Sequence, residues 1–224
     1  PGHLRAGLLP DLAAVGVEAD VIEVFEAAMA RLPHALSDRR TVDFADWDFA
    51  RTRRAGLLLM EAEMLGTFAD DLADTAAHPV SDGFRRMLDF AAGKSAADYA
   101  VADRVLDAAT LKMRRLFSQV DVLVLPTTPQ GAFALGGVAP DSAADLTSFA
   151  SLAGCPAVSL PMGNLPNGLP VGLHLVGPRG SELRLLALAA ACAAPCVAEH
   201  GYPGILYEPP VPCRGLTLDT LVRS

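Results

Sequence analysis

Apolar positions change period several times along the chain, and those changes mark its elements. The densest patterning lies between Asp121 and Gly177. Val122, Leu123, Val124 and Leu125 form an unbroken apolar run closed by Pro126, as expected of a strand buried on both faces. Proline cannot donate to a ladder and restricts the residue before it, so Pro126 sets the strand's end. A long loop follows, from Thr127 to about Pro140, and residues 145–153 predict a helix. Residues 156–161 read as a short strand between two prolines, and 171–176 alternate as another. Asn167-Gly168 punctuates the link between them, so these strands are expected to pair as an antiparallel hairpin.

Upstream, Leu4 to Leu9 predict a short strand closed by Pro10. Val21, Ile22, Val24, Phe25, Ala28, Met29 and Leu32 recur at i, i+3 and i+4. That predicts a helix with one buried stripe, capped by Asp20 and ended by Pro33. Arg40 to Phe44 predict a short strand, and residues 46–72 a long helix. Its apolar side would carry Leu57, Met60, Met64, Leu65 and Phe68, either as core or as a greasy substrate passage. Glu61-Glu63 and Asp70-Asp71 read as solvated faces. Ser81 is the expected N-cap of a helix ending near Ala92 and Gly93, and Ser95 caps the next, over 96–117. Lys112, Arg114 and Arg115 then face the carboxyl-end dipole. Residues 182–194 predict a last, largely buried helix. From Pro195 onward the pattern fails, with Pro203, Pro209, Pro210 and Pro212 in an irregular wrap or a disordered end.

Alternating strand and helix patterns predict an α/β fold, a mixed β-sheet flanked by helices on both faces. The 224 residues suffice for one lobe over 1–194, followed by the proline-rich tail 195–224. A net charge of −8 argues against a nucleic-acid partner or an anionic membrane surface. The longest apolar stretch, 185–198, holds Pro195 and falls short of the roughly 20 residues that span a bilayer. No charged n-region with an apolar core opens the chain, so a cytoplasmic location is expected. Cys192 and Cys196 lie four apart, not at C-x-x-C spacing, and only His200 is near them. Free thiols in a reducing compartment are the favoured reading of the cysteines, with no metal and no cofactor.

The chain has no G-x-S-x-G elbow and no H-E-x-x-H helix. Gly93-Lys94-Ser95 looks like the end of a phosphate loop, but the glycine required five residues earlier is Leu88. Ser159 reads as a strand serine. The loop after Leu125 is the more promising region. Ligands of open α/β sheets bind beyond the carboxyl ends of strands, and long ordered loops are usually functional. It is expected to border the largest concave surface; the alternative is a solvent-exposed crossover without a role.

The run FSQVDVLVLPTTP followed by SLAGCPAVSLPMGNLPNGLPVGLHLVGP resembles the C-terminal region of amidase signature enzymes. In that family an aspartate-led strand enters P-T-x-P, then N-L-A-G-x-P-A-x-S-x-P-x-G and G-L-P-x-G-L-Q-L-V-G-P follow. The resemblance spans about residues 4–194, most strongly after Ser95. LRAGLL resembles a strand near the middle of such enzymes, which implies that their N-terminal half is absent here. The implied reaction is hydrolysis of a carboxamide to carboxylate and ammonia or amine, without cofactor. A serine nucleophile, a second serine in a cis peptide and a neutral lysine base would carry it, with backbone amides as the oxyanion hole.

Lys94 and Lys112 are the only lysines, and neither has the glycine- and serine-rich surroundings this chemistry needs. No catalytic residue is therefore expected in this chain. Thr127, Thr128 and Pro129 match the P-T-x-P segment and are implied to line the substrate region; alternatively the prolines only fix the loop. The chain departs from the family at Ser151, where asparagine is usual, and at His174, where glutamine is usual. The resemblance implies a small-molecule amide substrate and, as partner, the enzyme's N-terminal half or another copy. A glutaminase-type subunit of a transfer-RNA amidotransferase and a non-catalytic structural or partner chain are the alternative readings.

Overall fold

The computed structural model describes residues 4–44, 47–74 and 79–197, excepting the side chains of 194–197. Among the described residues, five strands form one mixed sheet in the order β2-β1-β3-β5-β4. They are β1 (Arg5–Leu8), β2 (Asp38–Thr41), β3 (Val122–Pro126), β4 (Ala157–Asn164) and β5 (Pro170–Val176). β2, β1 and β3 run parallel, while β5 is antiparallel to both β3 and β4. Every residue of β3 is buried, as its unbroken apolar run requires. Asp121, just before β3, accepts the Arg5 backbone N–H and two guanidinium N–H groups at 2.8–3.1 Å. These bonds hold its carboxyl below the usual carboxylate range and lock β1 beside β3.

The expected hairpin is present. β4 and β5 pair antiparallel, and Gly168, at φ 84°, makes the turn between them. β4 runs on past Pro161 to Asn164, because a register shift between Pro161 and Gly163 lets the ladder resume beyond the proline.

Seven α-helices among the described residues flank the sheet. α1 (Ala19–Arg31) buries Val21, Phe25, Ala28 and Met29. Asp20 lies inside its first turn rather than at its cap. The N-cap is Glu18, whose side chain makes no cap bond and whose backbone N–H donates to the Pro129 carbonyl at 2.8 Å. α4 (Asp82–Ala92) and α5 (Ala96–Leu116) start at Ser81 and Ser95, whose side chains accept N–H bonds; Ser95 forms a full capping box with Asp98. α6 is Asp145–Leu152 and α7 is Glu182–Val197. α7 passes Pro195 instead of stopping there, and it is buried along one stripe, Leu185, Leu188, Ala189 and Cys192. Leu183 and Leu186 are exposed. α1 and α7 pack on β4 and β5. The tail from 198 lies outside the described residues.

The single helix expected over 46–72 is two, α2 (Phe49–Thr67) and α3 (Ala69–Ala73), broken at Phe68. Gly66 and Thr67 just before the break are weak helix formers. The buried face is also not the expected one. Leu57, Met60 and Phe68 are exposed, whereas Thr52, Ala55, Gly56 and Glu61 are buried. Small residues let neighbouring helices come close: a Cβ on Gly56 would stand 2.3 Å from the Leu152 side chain. Glu61 is thus no solvated residue. Its Oε2 has no hydrogen-bond partner among the described residues, and burial pushes its carboxyl pKa up. β2 also lies earlier than the expected 40–44, because it pairs Asp38 to Thr41 against Arg5 to Leu8.

Candidate functional site at the carboxyl end of β3

Beyond Pro126 the chain leaves the sheet, and the Thr127 backbone N–H still donates to the Gly172 carbonyl at 2.7 Å. Ser159 on β4 faces His174 on β5, and Gly172 stands one pair further along the same strand face. Because Gly172 has no side chain, the Thr127 and Ser159 hydroxyls meet across it, Oγ1 to Oγ at 2.6 Å. A Cβ on Gly172 would lie 2.6 Å from each oxygen. Thr127 is half-buried and Ser159 exposed, so the pair faces open space.

Thr128 is half-buried and donates its hydroxyl proton to the Gln130 carbonyl at 2.8 Å. Its lone pairs remain as acceptors. Pro129 and Gln130 are buried; the Pro129 carbonyl takes the N–H that begins α1. Past Gly131, which meets the Leu165 side chain, the loop presents Phe133, Leu135 and Val138 to the outside. The site therefore has a fixed floor and an open apolar edge.

His174 sits beneath, buried against α6. Its Nδ1 donates to the Leu146 carbonyl at 3.1 Å, which fixes the neutral tautomer, and its ring meets Phe149 edge-on. Burial lowers its pKa to about 4, only partly opposed by the bond to Leu146. Across α6, Arg53 of α2 pairs with Asp145 at 2.6 Å, both largely buried. Together these contacts tie α6 to β5 and to α2.

Other sequence candidates lie apart. Lys94 is exposed, with Nζ 4.4 Å over the Phe90 ring. Lys112 is half-buried in a cleft between α2 and α5 with Trp47 and Arg104. That cleft, about 350 Å³, does not include Thr127, Thr128 or Pro129. Ser151 is exposed on α6. Cys155 is half-buried and Cys192 buried, while His200 and Cys213 lie outside the described residues. Ser159 was legible only as a strand serine; the signal for its role is the hairpin register, which sets it beside Gly172 and Thr127.

The described residues thus form an α/β fold, a mixed sheet with helices in which β3 runs into Pro-Thr-Thr-Pro at its carboxyl end. Residues 1–186 match the family model described as Amidase, and the chain belongs to that family. It is 29% identical to the A-subunit of the glutamyl-tRNA(Gln) amidotransferase of Streptomyces avermitilis, over 92% of this chain and 47% of that protein. It is also 29% identical to a fatty acid amide hydrolase of Medicago truncatula, over 72% of this chain and 28% of that one. A crystal structure of an amidase superposes with a TM-score of 0.73 at 25% identity, covering 87% of this chain and 46% of the other. The chain thus spans less than half the length of each. Among the described residues, no helix is long and apolar enough to cross a membrane.

Proposed function

We propose that this chain is the C-terminal portion of an amide hydrolase, and that Thr127, Thr128 and Pro129 form the wall against which a carboxamide is held. The observation that carries this reading is the Thr127–Ser159 hydroxyl pair over Gly172, with Thr128 the next residue along the chain. Within the pair one hydroxyl donates to the other, which leaves one O–H free to donate outward. Thr128, already donating to Gln130, can only accept. A free donor next to an acceptor complements a carboxamide, whose oxygen accepts and whose N–H donates. Pro129 gives the wall a rigid, apolar shape, and Phe133, Leu135 and Val138 extend it toward a bulkier acyl group or the remainder of the enzyme.

The reacting groups lie outside this wall. Lys94 stands exposed at the start of α5, with Nζ 4.4 Å over the Phe90 ring. Lys112 lies in the cleft beside Arg104, away from the hydroxyl pair. The nucleophile and base therefore come from a further segment or another chain of the enzyme, and the chain by itself does not turn over amides. Similarity to the tRNA-dependent amidotransferase supports a second reading, in which the wall serves glutamine hydrolysis within a larger assembly.

Titration of the isotope-labelled full chain with benzamide and with glutamine, followed by backbone NMR, tests the wall. Shifts should concentrate at residues 127–131, 159 and 172. Shifts confined to other surfaces would contradict the assignment.

A further inference from the structure

A cleft of about 350 Å³ opens between the start of α2 and the middle of α5, within the size range of small-molecule sites. Trp47, Val101 and Val105 supply an apolar wall, while Arg51, Arg104 and Lys112 bring three cations against a single carboxylate, Asp48. That carboxylate is already engaged: Oδ1 accepts the Arg51 backbone N–H at 2.8 Å and caps α2. Lys112 also borders a neighbouring cleft that holds Asp43 and Arg115, so its charge is shared with that side. Arg51 and Arg104 are exposed, and among the described residues neither guanidinium has an ion-pair partner. Trp47, which lines the cleft, has a buried indole N–H without an acceptor among the described residues. None of the residues at the carboxyl end of β3 lines this cleft.

We propose that this cleft is a second binding site, for a small carboxylate carrying an apolar body. The apolar part lies on Trp47, Val101 and Val105, and the carboxylate bridges Arg51 and Arg104. Two observations carry the chemistry. A chain of net charge −8 lines one cleft with two guanidinium groups that have no ion-pair partner among the described residues, and guanidinium matches carboxylate geometry through paired N–H bonds. The floor between them is aromatic and branched aliphatic, which favours an apolar body over a bare inorganic anion.

Trp47 is the only tryptophan in the chain, so its fluorescence reports this cleft directly. Phenylacetate added to the full chain should give a saturable change. Phenylacetamide, with the same body and no charge, and inorganic phosphate, with charge and no body, should each bind at least tenfold more weakly. The double variant Arg51→Gln/Arg104→Gln replaces exposed side chains and should keep the wild-type thermal midpoint while losing at least tenfold in phenylacetate affinity. Val105→Phe, which fills the cleft without changing its charge, should abolish the response. A non-saturable signal, equal binding of phenylacetamide or phosphate, or unchanged affinity in the double variant would overturn the proposal. Because Trp47 is not part of the β3 wall, failure here leaves the NMR test of that wall unaffected.

Discussion

Gly172 is where a single methyl group would have the clearest effect. Its absent Cβ is the space in which Thr127 and Ser159 meet, with both hydroxyl oxygens 2.6 Å from that point. Gly172→Ala must push the two side chains apart and disturb the β3–β5–β4 junction, at a cost of about 1–3 kcal/mol. Urea denaturation checks this, and a midpoint equal to wild type would show that the hydroxyl pair yields freely. His174 makes the complementary point about charge. With its folded pKa near 4 and an ordinary value of 6.5, the unfolded chain binds a proton between these values that the folded chain does not. Stability is therefore intact above about pH 6.5 and falls as the pH drops toward 4, by about 3 kcal/mol in all. His174→Gln keeps an N–H for the Leu146 carbonyl but cannot titrate, so its stability should stay flatter over that window. Parallel acid-side decline in both proteins would place the sensitivity elsewhere.

The elements divide by how much of their environment is local. β3, the β4–β5 hairpin and the serine-capped starts of α4 and α5 were readable, because an apolar run, an Asn-Gly turn and an N-cap are settled by a few adjacent residues. The buried side of α2 was not. Leu57 and Met60 lie outward, and its buried residues are Thr52, Ala55, Gly56 and Glu61, with Gly56 allowing close approach to Leu152 of α6. β2 differs from the expected 40–44 for a related reason: as a polar edge strand it takes its position from pairing with β1. At the candidate site, the loop after β3 was legible from Pro126 and the apolar run. The Ser159 contribution was not, since a residue 32 positions away meets Thr127 only through the strand order. The α2–α6 contact also rests on the Arg53–Asp145 pair. Arg53→Gln leaves a buried carboxylate unpaired and should cost about 3 kcal/mol, read as a lowered thermal midpoint. A change of a few tenths would mean that Asp145 finds water or another donor.

At the scale of the molecule, the proposed wall of this Amidase-family chain is the hydroxyl pair at the carboxyl end of β3, while Lys94 stands over Phe90 and Lys112 lines the cleft between α2 and α5. Groups that act together in nucleophilic catalysis lose far more than a proportional share of rate when some are missing. A wall that binds without a nucleophile and base beside it should orient an amide and leave it intact. The decisive measurement is ammonia release from acetamide, benzamide and glutamine by the purified full chain, alone and mixed with a polypeptide carrying the serine and lysine residues of an amidase-family enzyme. The account predicts no turnover by the chain alone, and turnover in the mixture that falls when Thr127 and Thr128 are replaced by valine. Sustained release by the chain alone, retained through repurification and abolished by replacing Lys94 or Lys112, would contradict it.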